Sequence, residues 1–107
     1  LKPSTRQRFI GLTFDYPAET QEVEIVKVES GVEPQIARRI VGIGRKIRSL
    51  VELSLIESVS TRLLVAAGKL VRAGVPPRLA CFAAIAEPVS DDSEALSAMR
   101  QVIELGI

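Results

Sequence analysis

Residues 60–67 read Ser-Thr-Arg-Leu-Leu-Val-Ala-Ala, so a small polar pair and one arginine open a strongly apolar run. Apolar residues recur at helical spacing from Leu63 to Val71, and Gly74 follows as a terminator, which predicts a helix over residues 61–73. Arg62 would lie in the first turn of this helix, where the backbone N–H dipoles disfavour a cation. An anionic ligand shared by the arginine and those N–H groups would account for its position. The stretch therefore indicates a helical fold and a candidate anion-binding arginine.

Two more helices are expected before this one. Residues 18–30 are rich in glutamate and stop at Gly31, a residue that commonly ends a helix. Residues 34–52 carry isoleucine and leucine at alternating four- and three-residue steps, which places them on one apolar face. The basic residues of the same segment fall mainly on the opposite face: Arg38, Arg39, Arg45, Lys46 and Arg48. We expect this basic face to be solvated, with a partner-binding surface as the alternative.

Prolines and acidic residues mark two further helices toward the C-terminus. The pair at residues 76–77 suits the first turn of a helix that runs to about Glu87, and Pro88 ends it. Ser90 or Asp91 then caps a last helix, with Asp92 in its acidic first turn. Residues 18–107 are therefore predicted to form a small helical bundle.

The N-terminal residues follow a different pattern. In residues 9–16 large apolar side chains alternate with smaller or more polar ones, as in a strand, and Pro17 ends the run. One strand lacks a partner in this chain, so its sheet is expected in another part of a longer protein. The chain begins at Leu1 rather than methionine, which favours a fragment. We therefore predict a mainly α fold, with residues 1–17 ending one domain and residues 18–107 forming the next.

The composition limits the classes of function. The 107 residues suit one domain, and a net charge of +1 argues against general nucleic-acid binding. Histidine, the commonest general base and metal ligand, is absent, and no metal site is expected. The single cysteine, Cys81, lies in an apolar helical pattern and is expected to be a buried thiol rather than a nucleophile. The sequence has neither a signal peptide nor a run that could span a bilayer, which indicates a cytoplasmic protein without a membrane partner.

Two glycine–lysine stretches resemble phosphate-binding loops only superficially. Residues 42–46, Gly-Ile-Gly-Arg-Lys, fall inside an apolar-periodic helix rather than in a strand-to-helix loop. Residues 67–69, Ala-Gly-Lys, lack the glycine five positions before Gly68, where Leu63 stands. Neither satisfies G-x-x-x-x-G-K-[ST], whose backbone cradles phosphate. We therefore expect the chain by itself to bind no ATP and to have no ATPase activity.

Four segments, in their order and spacing, carry a family resemblance. They are residues 2–9 (Lys-Pro-Ser-Thr-Arg-Gln-Arg-Phe) with 14–17 (Phe-Asp-Tyr-Pro), residues 31–32 (Gly-Val), residues 60–65, and residues 80–81 (Ala-Cys) leading to 87–92 (Glu-Pro-Val-Ser-Asp-Asp). Together they resemble the C-terminal region of the CbbQ/NirQ/NorQ family, a branch of the MoxR-type AAA+ ATPases. The likeness covers essentially the whole chain. It implies that the bundle is an AAA+ lid subdomain and that the strand belongs to the ATPase core sheet.

The resemblance also implies roles for individual residues. Arg8 is similar to the arginine finger, with Arg6 as its nearest competitor, and Arg62 is similar to the sensor-2 arginine. Both would contact the terminal phosphate of ATP, which the full-length protein would hold with Mg²⁺ through motifs elsewhere. Tyr16 and Pro17 resemble the core-to-lid hinge, where an adenine ring packs. Whether Arg62 acts on the nucleotide of its own subunit or of a neighbour stays open.

The family resemblance implies a remodelling chaperone. Such a protein forms a homo-oligomeric, hexameric ring, uses ATP hydrolysis to activate a target enzyme, and works with a von Willebrand-type partner protein. The targets implied are Rubisco or nitric oxide reductase, and the sequence does not choose between them. The alternative is a free-standing helical interaction module that binds an acidic partner through the basic face within residues 38–48.

Overall fold

The computed structural model describes residues 16–50 and 59–107, which contain five helices. In chain order they are α1 (Glu19–Ser30), α2 (Pro34–Arg48), α3 (Thr61–Arg72), α4 and α5 (Ser93–Gly106). Helix α4 consists of Pro77–Cys81, a π-helical turn at Phe82–Ala86, and Glu87–Val89. The prediction of a mainly α chain folded as a helical bundle is confirmed for this part of the protein.

Two helices end at glycines, as the sequence predicts. Gly31 follows α1 with a φ of 81°, and its N–H donates to the Lys27 carbonyl at 2.9 Å. Gly74 lies beyond α3 with a φ of 108°, and the N–H of Val75 reaches back to the Leu70 carbonyl at 2.9 Å. Glycine adopts this left-handed backbone without a steric cost because it has no Cβ. Both turns therefore follow from the residue type.

The start of α5 is capped differently from the prediction, and the start of α3 has no side-chain cap. Asp92 caps α5, in place of Ser90 or Asp91, because its carboxylate accepts the Ala95 N–H at 2.9 Å. The Ser90 hydroxyl instead accepts the N–H of Asp92 at 3.1 Å. Ser60 precedes α3 at the N-cap position, but its side chain makes no capping hydrogen bond. Other contacts must therefore hold the start of α3.

The prediction that Pro88 ends α4 is wrong, since the helix continues to Val89. In the π-helical turn before it, the Glu87 N–H bonds to the Phe82 carbonyl, five residues back instead of four. Proline has no N–H and clashes with the preceding turn of a regular helix. The wider turn shifts the hydrogen-bond register just before Pro88, and the helix accommodates the ring. Helix α2, in contrast, ends at Arg48 rather than at residue 52.

The core lies where α1 packs on α2 and α3, and where α5 packs on α2 and α4. Its largest fully buried apolar side chains come from four helices: Ile40, Ile43, Ile47, Leu64, Ile85, Met99 and Ile103. A Cβ added at Gly68 of α3 would collide with the side chain of Ser30 of α1. This glycine therefore allows α1 and α3 to approach closely, and their contact positions the polar residues that follow.

Two predictions concern residues that the structure covers only partly. The strand predicted over residues 9–16 lies outside the described residues except for Tyr16, which is in neither a strand nor a helix. The division into domains at residues 1–17 and 18–107 stays a prediction. In the part of the chain that is described, no helix has both the length and the hydropathy to cross a membrane.

Candidate functional site

A carboxylate with no solvent exposure is the centre of a polar site that joins three helices. Glu22 lies in the first turn of α1, and its side chain is 0% exposed. The two terminal nitrogens of Arg48 donate to its two carboxylate oxygens, at 2.8 Å to Oε1 and 2.6 Å to Oε2. The hydroxyl of Thr61 donates to Oε2 at 2.7 Å. We call Glu22, Arg48 and Thr61 the buried cluster.

Three helices each bring one residue to this cluster. Glu22 shares a face of α1 with Val26 and Ser30, four and eight residues later, and this face packs on α2 and α3. Arg48 is the last residue of α2, and Thr61 is the first residue of α3. The buried cluster therefore joins the end of α2 and the start of α3 to the side of α1.

Arg48 also holds the segment that leads into α3. Its Nε donates to the backbone carbonyl of Val59 at 2.8 Å, and its guanidinium carbon lies 3.7 Å from the centroid of the Tyr16 ring. A guanidinium is planar and presents several donors in a fixed fork, which suits bidentate pairing and stacking on an aromatic face at once. One side chain thus connects Tyr16, Glu22 and Val59.

The buried cluster keeps Glu22 ionised. Burial alone would raise the pKa of Glu22, but the hydrogen bonds from Arg48 and Thr61 and the charges of Arg48 and Arg45 outweigh it, so the pKa lies below its ordinary value. Arg45 contributes from a distance, with its guanidinium 3.9 Å from Glu22 and 3.8 Å from Glu19. The cluster is therefore a buried ion pair whose hydrogen bonds satisfy both charged groups.

An open pocket of about 540 Å³ adjoins the buried cluster. It is lined by Tyr16, Pro17, Ala18, Arg45, Arg48 and Ser49. The pocket combines an aromatic ring and a proline with two guanidinium groups. Such surroundings suit a flat, polar or anionic ligand, which can stack on apolar faces and accept hydrogen bonds.

The structure brings together only some of the residues predicted for the site. Tyr16 and Pro17 line the pocket, and their role in packing an adenine ring stays a prediction. Arg62 is exposed on the first turn of α3, directly after Thr61 of the buried cluster, and it does not line the pocket. Arg8 lies outside the described residues. The buried cluster therefore links two segments that carry predicted site residues, the pocket lined by Tyr16 and Pro17 and the first turn of α3.

Comparison with known proteins identifies the family. Residues 22–105 match the family model for the CbbQ/NirQ/NorQ C-terminal region. The chain belongs to this family. The resemblance that the sequence analysis described is thus confirmed.

The chain is similar to three named relatives in particular. It is 47% identical over 107 residues to the denitrification regulatory protein NirQ of Pseudomonas aeruginosa, covering all of this chain and 41% of that protein. It is 45% identical over 100 residues to the protein CbbQ of Hydrogenophilus thermoluteolus, covering 94% of this chain and 38% of that protein. It is also 45% identical over 102 residues to the protein NorQ of Paracoccus denitrificans, covering 95% and 38%. The chain therefore spans about two fifths of the length of these curated relatives.

The CbbQ/NirQ/NorQ C-terminal match includes the site residues that the sequence analysis missed. The matched range begins at Glu22 and contains Arg48 and Thr61. The sequence analysis placed Arg48 on a solvated basic face, and this is wrong, because its side chain is only 10% exposed. A signal was present in the sequence, since Glu22 occupies a helical position in register with Val26 on the face that becomes buried.

Cys81 has the environment that the sequence predicts for it. Its side chain is buried in the core among residues of α4 and neighbouring helices. Burial raises the pKa of the Cys81 thiol to about 12. The thiol is therefore protonated at neutral pH and does not act as a nucleophile.

Proposed function

We propose that this chain is the C-terminal lid of a ring-forming AAA+ ATPase that uses ATP hydrolysis to remodel or activate a target enzyme. Membership of the CbbQ/NirQ/NorQ C-terminal family supports the proposal. The arrangement of the site supports it further, because a lid must connect a nucleotide pocket to a helix that carries a phosphate-binding arginine. In this chain the buried cluster makes that connection between Tyr16 and the residue preceding Arg62.

The observation that carries the proposal is the pocket beside Tyr16. Its volume of about 540 Å³ and its aromatic, proline and guanidinium lining suit a nucleotide base and its polar edges. Tyr16 and Pro17 would hold the adenine ring of ATP in this pocket. The phosphates and Mg²⁺ would be held by the rest of the full-length protein.

Two arginines are proposed to stabilise the charge that develops on the terminal phosphate. Arg62 is exposed and lies at the start of a helix, where the backbone N–H groups also favour an anion. Arg8, or the nearby Arg6, would act as the arginine finger. A guanidinium donates two parallel hydrogen bonds to phosphate oxygens and stays charged at all physiological pH values. Bound ATP would supply the phosphoryl group, and these two arginine side chains would supply positive charge beside its terminal phosphate.

The proposed biological role comes from the family. The relatives include a denitrification regulatory protein, which supports a regulatory role rather than a metabolic conversion. We propose a cytoplasmic, hexameric chaperone that acts with a von Willebrand-type partner on a target of the Rubisco or nitric oxide reductase kind.

The test of the proposed site is ATP binding by the full-length protein that carries this chain. Tyr16→Ala should weaken ATP affinity by roughly tenfold, because base stacking on an aromatic side chain contributes about 1–3 kcal/mol. Tyr16→Phe keeps the ring and should bind ATP like the wild type. Thr20→Val, an exposed change nearby on α1, is the control. ATP affinity that is the same in Tyr16→Ala and wild type, in protein with an unchanged melting temperature, would exclude the pocket as the base site.

A second candidate function is a protein-interaction module, and one surface favours it. Leu105 is 90% exposed and lines a groove of about 290 Å³ with Arg39 and Lys46. Among the described residues, neither cation has a carboxylate within ion-pair distance. The charge reversals Arg39→Glu and Lys46→Glu should abolish binding of an acidic partner and leave ATP turnover unchanged. Loss of ATP turnover in these variants would argue against a separate interaction surface.

A further inference from the structure

We infer that the buried Glu22 carboxylate is a positioning group for Arg62. It acts through Thr61, which it holds at the first position of α3, while Arg48 holds the carboxylate in turn. The inference rests on the proposed role of Arg62 in ATP hydrolysis and deepens it. It assigns to the buried cluster, with the fully buried Glu22 at its centre, the task of fixing where the exposed Arg62 side chain lies.

The start of α3 depends on the buried cluster because the usual capping contact is missing. The side chain of Ser60, at the N-cap position, makes no capping hydrogen bond. Instead, the chain is held on both sides of Ser60, at the Val59 carbonyl by Arg48 and at the Thr61 hydroxyl by Glu22. Arg62 follows the second of these contacts directly. The backbone that carries Arg62 is therefore fixed by two hydrogen bonds to one buried ion pair.

The Glu22 carboxylate, at the centre of the buried cluster, cannot contact a ligand directly. Both carboxylate oxygens of Glu22 are occupied, and Oε2 accepts hydrogen bonds from both Arg48 and Thr61. Glu22 is 0% exposed, so it cannot reach a nucleotide. Glu22 and Thr61 are consequently positioning residues. Any effect that they have on phosphate chemistry must pass through the backbone that they hold.

Arg48 extends the same connection to the proposed base site. Its guanidinium stacks on Tyr16 while it pairs with Glu22, so one side chain contacts both the pocket wall and the support of α3. The pocket and the first turn of α3 are therefore connected through the contacts of one side chain, that of Arg48. A displacement of α3 of about 1 Å is enough to matter, because misplacement on that scale can lower a catalysed rate by roughly a hundredfold.

The test is a double-mutant cycle on ATP turnover by the full-length protein. Thr61→Val keeps the shape of the side chain but removes the hydroxyl, and it should lower kcat roughly 10- to 100-fold with little change in ATP affinity. Thr61→Ser retains the hydroxyl and should restore most of the turnover. In an Arg62→Ala background, Thr61→Val should cause no further loss, because the residue that it positions is gone. Thr20→Val is the matched control, an exposed threonine of α1.

The outcomes separate this inference from the proposed function. Wild-type turnover in Arg62→Ala would overturn both. A loss of turnover in Arg62→Ala, combined with wild-type turnover in Thr61→Val, would overturn the inference alone. So would an equal fold loss from Thr61→Val in both backgrounds, since a general structural weakening does not depend on Arg62. A Thr61→Ser protein whose turnover is as slow as that of Thr61→Val would also contradict the inference. All assays are run well below the melting temperature of each variant.

Discussion

Arg48 and Arg62 belong to adjacent regions of the helical bundle whose environments are opposite. The side chain of Arg48 is 10% exposed, and it is bound to a carboxylate, a carbonyl and an aromatic ring. Arg62, one residue beyond the buried cluster, is exposed, and its side chain has no ion pair or hydrogen bond within the described residues. The side chain of Arg48 stabilises the fold, while the side chain of Arg62 is accessible to a ligand. Thr61 belongs to the buried cluster and directly precedes Arg62. A residue that supports the fold is therefore adjacent in sequence to the residue proposed to bind phosphate.

The largest effect that this comparison predicts is the loss of Arg48. Arg48→Ala leaves the buried Glu22 carboxylate without its partner and should lower the free energy of unfolding by about 3–5 kcal/mol. Arg38→Ala, an exposed change on the same helix, should alter it by no more than about 0.5 kcal/mol. Chemical denaturation of both variants measures the difference. If the Arg48→Ala and Arg38→Ala proteins had equal free energies of unfolding, the buried cluster would contribute no more to stability than a surface charge does.

The contact between α1 and α3 should be the next most sensitive feature. Gly68→Ala places a methyl group against Ser30 and should destabilise the bundle by about 1–3 kcal/mol, because overpacking forces the helices apart. Gly42→Ala is the matched control, since a Cβ there meets no atom within 4 Å. That change should instead stabilise α2 by about 0.5–1 kcal/mol. A stabilising Gly68→Ala would show that α1 and α3 can separate at little cost to the cluster between them.

The apolar framework of the helical bundle could be predicted from the sequence, because it follows from local spacing. The isoleucines of α2 recur at helical steps, and the glycines at 31 and 74 end their helices for a reason contained in the residue itself. The end of α4 could not be predicted in this way. The π-helical turn at Phe82–Ala86 lets the helix continue past Pro88, and no pattern in the sequence predicts this turn.

The buried cluster was missed because its members are distant in the sequence. Glu22 and Thr61 are 39 positions apart, and their hydrogen bond exists only once α1 and α3 pack together. Arg48 looks like any other arginine of a basic helix until α2 ends beside Glu22. Arg62, in contrast, could be selected from its local position at a helix start. Sequence patterns thus find a residue that faces solvent at a helix end more readily than the buried residues that support it.

Low pH should lower the free energy of unfolding by protonating the buried Glu22 carboxylate. Because the pKa of Glu22 is lowered in the folded protein from a value of 4.5, its contribution to stability is complete above about that pH. The free energy of unfolding should fall as the pH drops below this value and passes through the folded-state pKa. Glu22→Gln should remove this part of the pH dependence, whereas Glu29→Gln, at an exposed position of the same helix, should retain it. Denaturation curves at several acidic pH values measure the slope, and identical slopes in both variants would contradict the prediction.

The smallest effect on stability is expected at Arg62, where the effect on activity should be large. Arg62→Ala removes an exposed side chain, while Leu64, Val65 and Ala67 carry the packing of α3, so the free energy of unfolding should change by no more than about 0.5 kcal/mol. ATP turnover by the full-length protein should nevertheless fall by roughly a hundredfold or more, because charge stabilisation at the terminal phosphate is lost. Arg62→Lys should rescue poorly, since an ammonium group cannot reproduce the two parallel hydrogen bonds of a guanidinium. Turnover assays on ring-assembled protein, with melting temperature as the control, measure both properties in the same samples. Wild-type turnover in a stable, assembled Arg62→Ala protein would place Arg62 among the surface arginines and leave the first turn of α3 without its proposed chemistry.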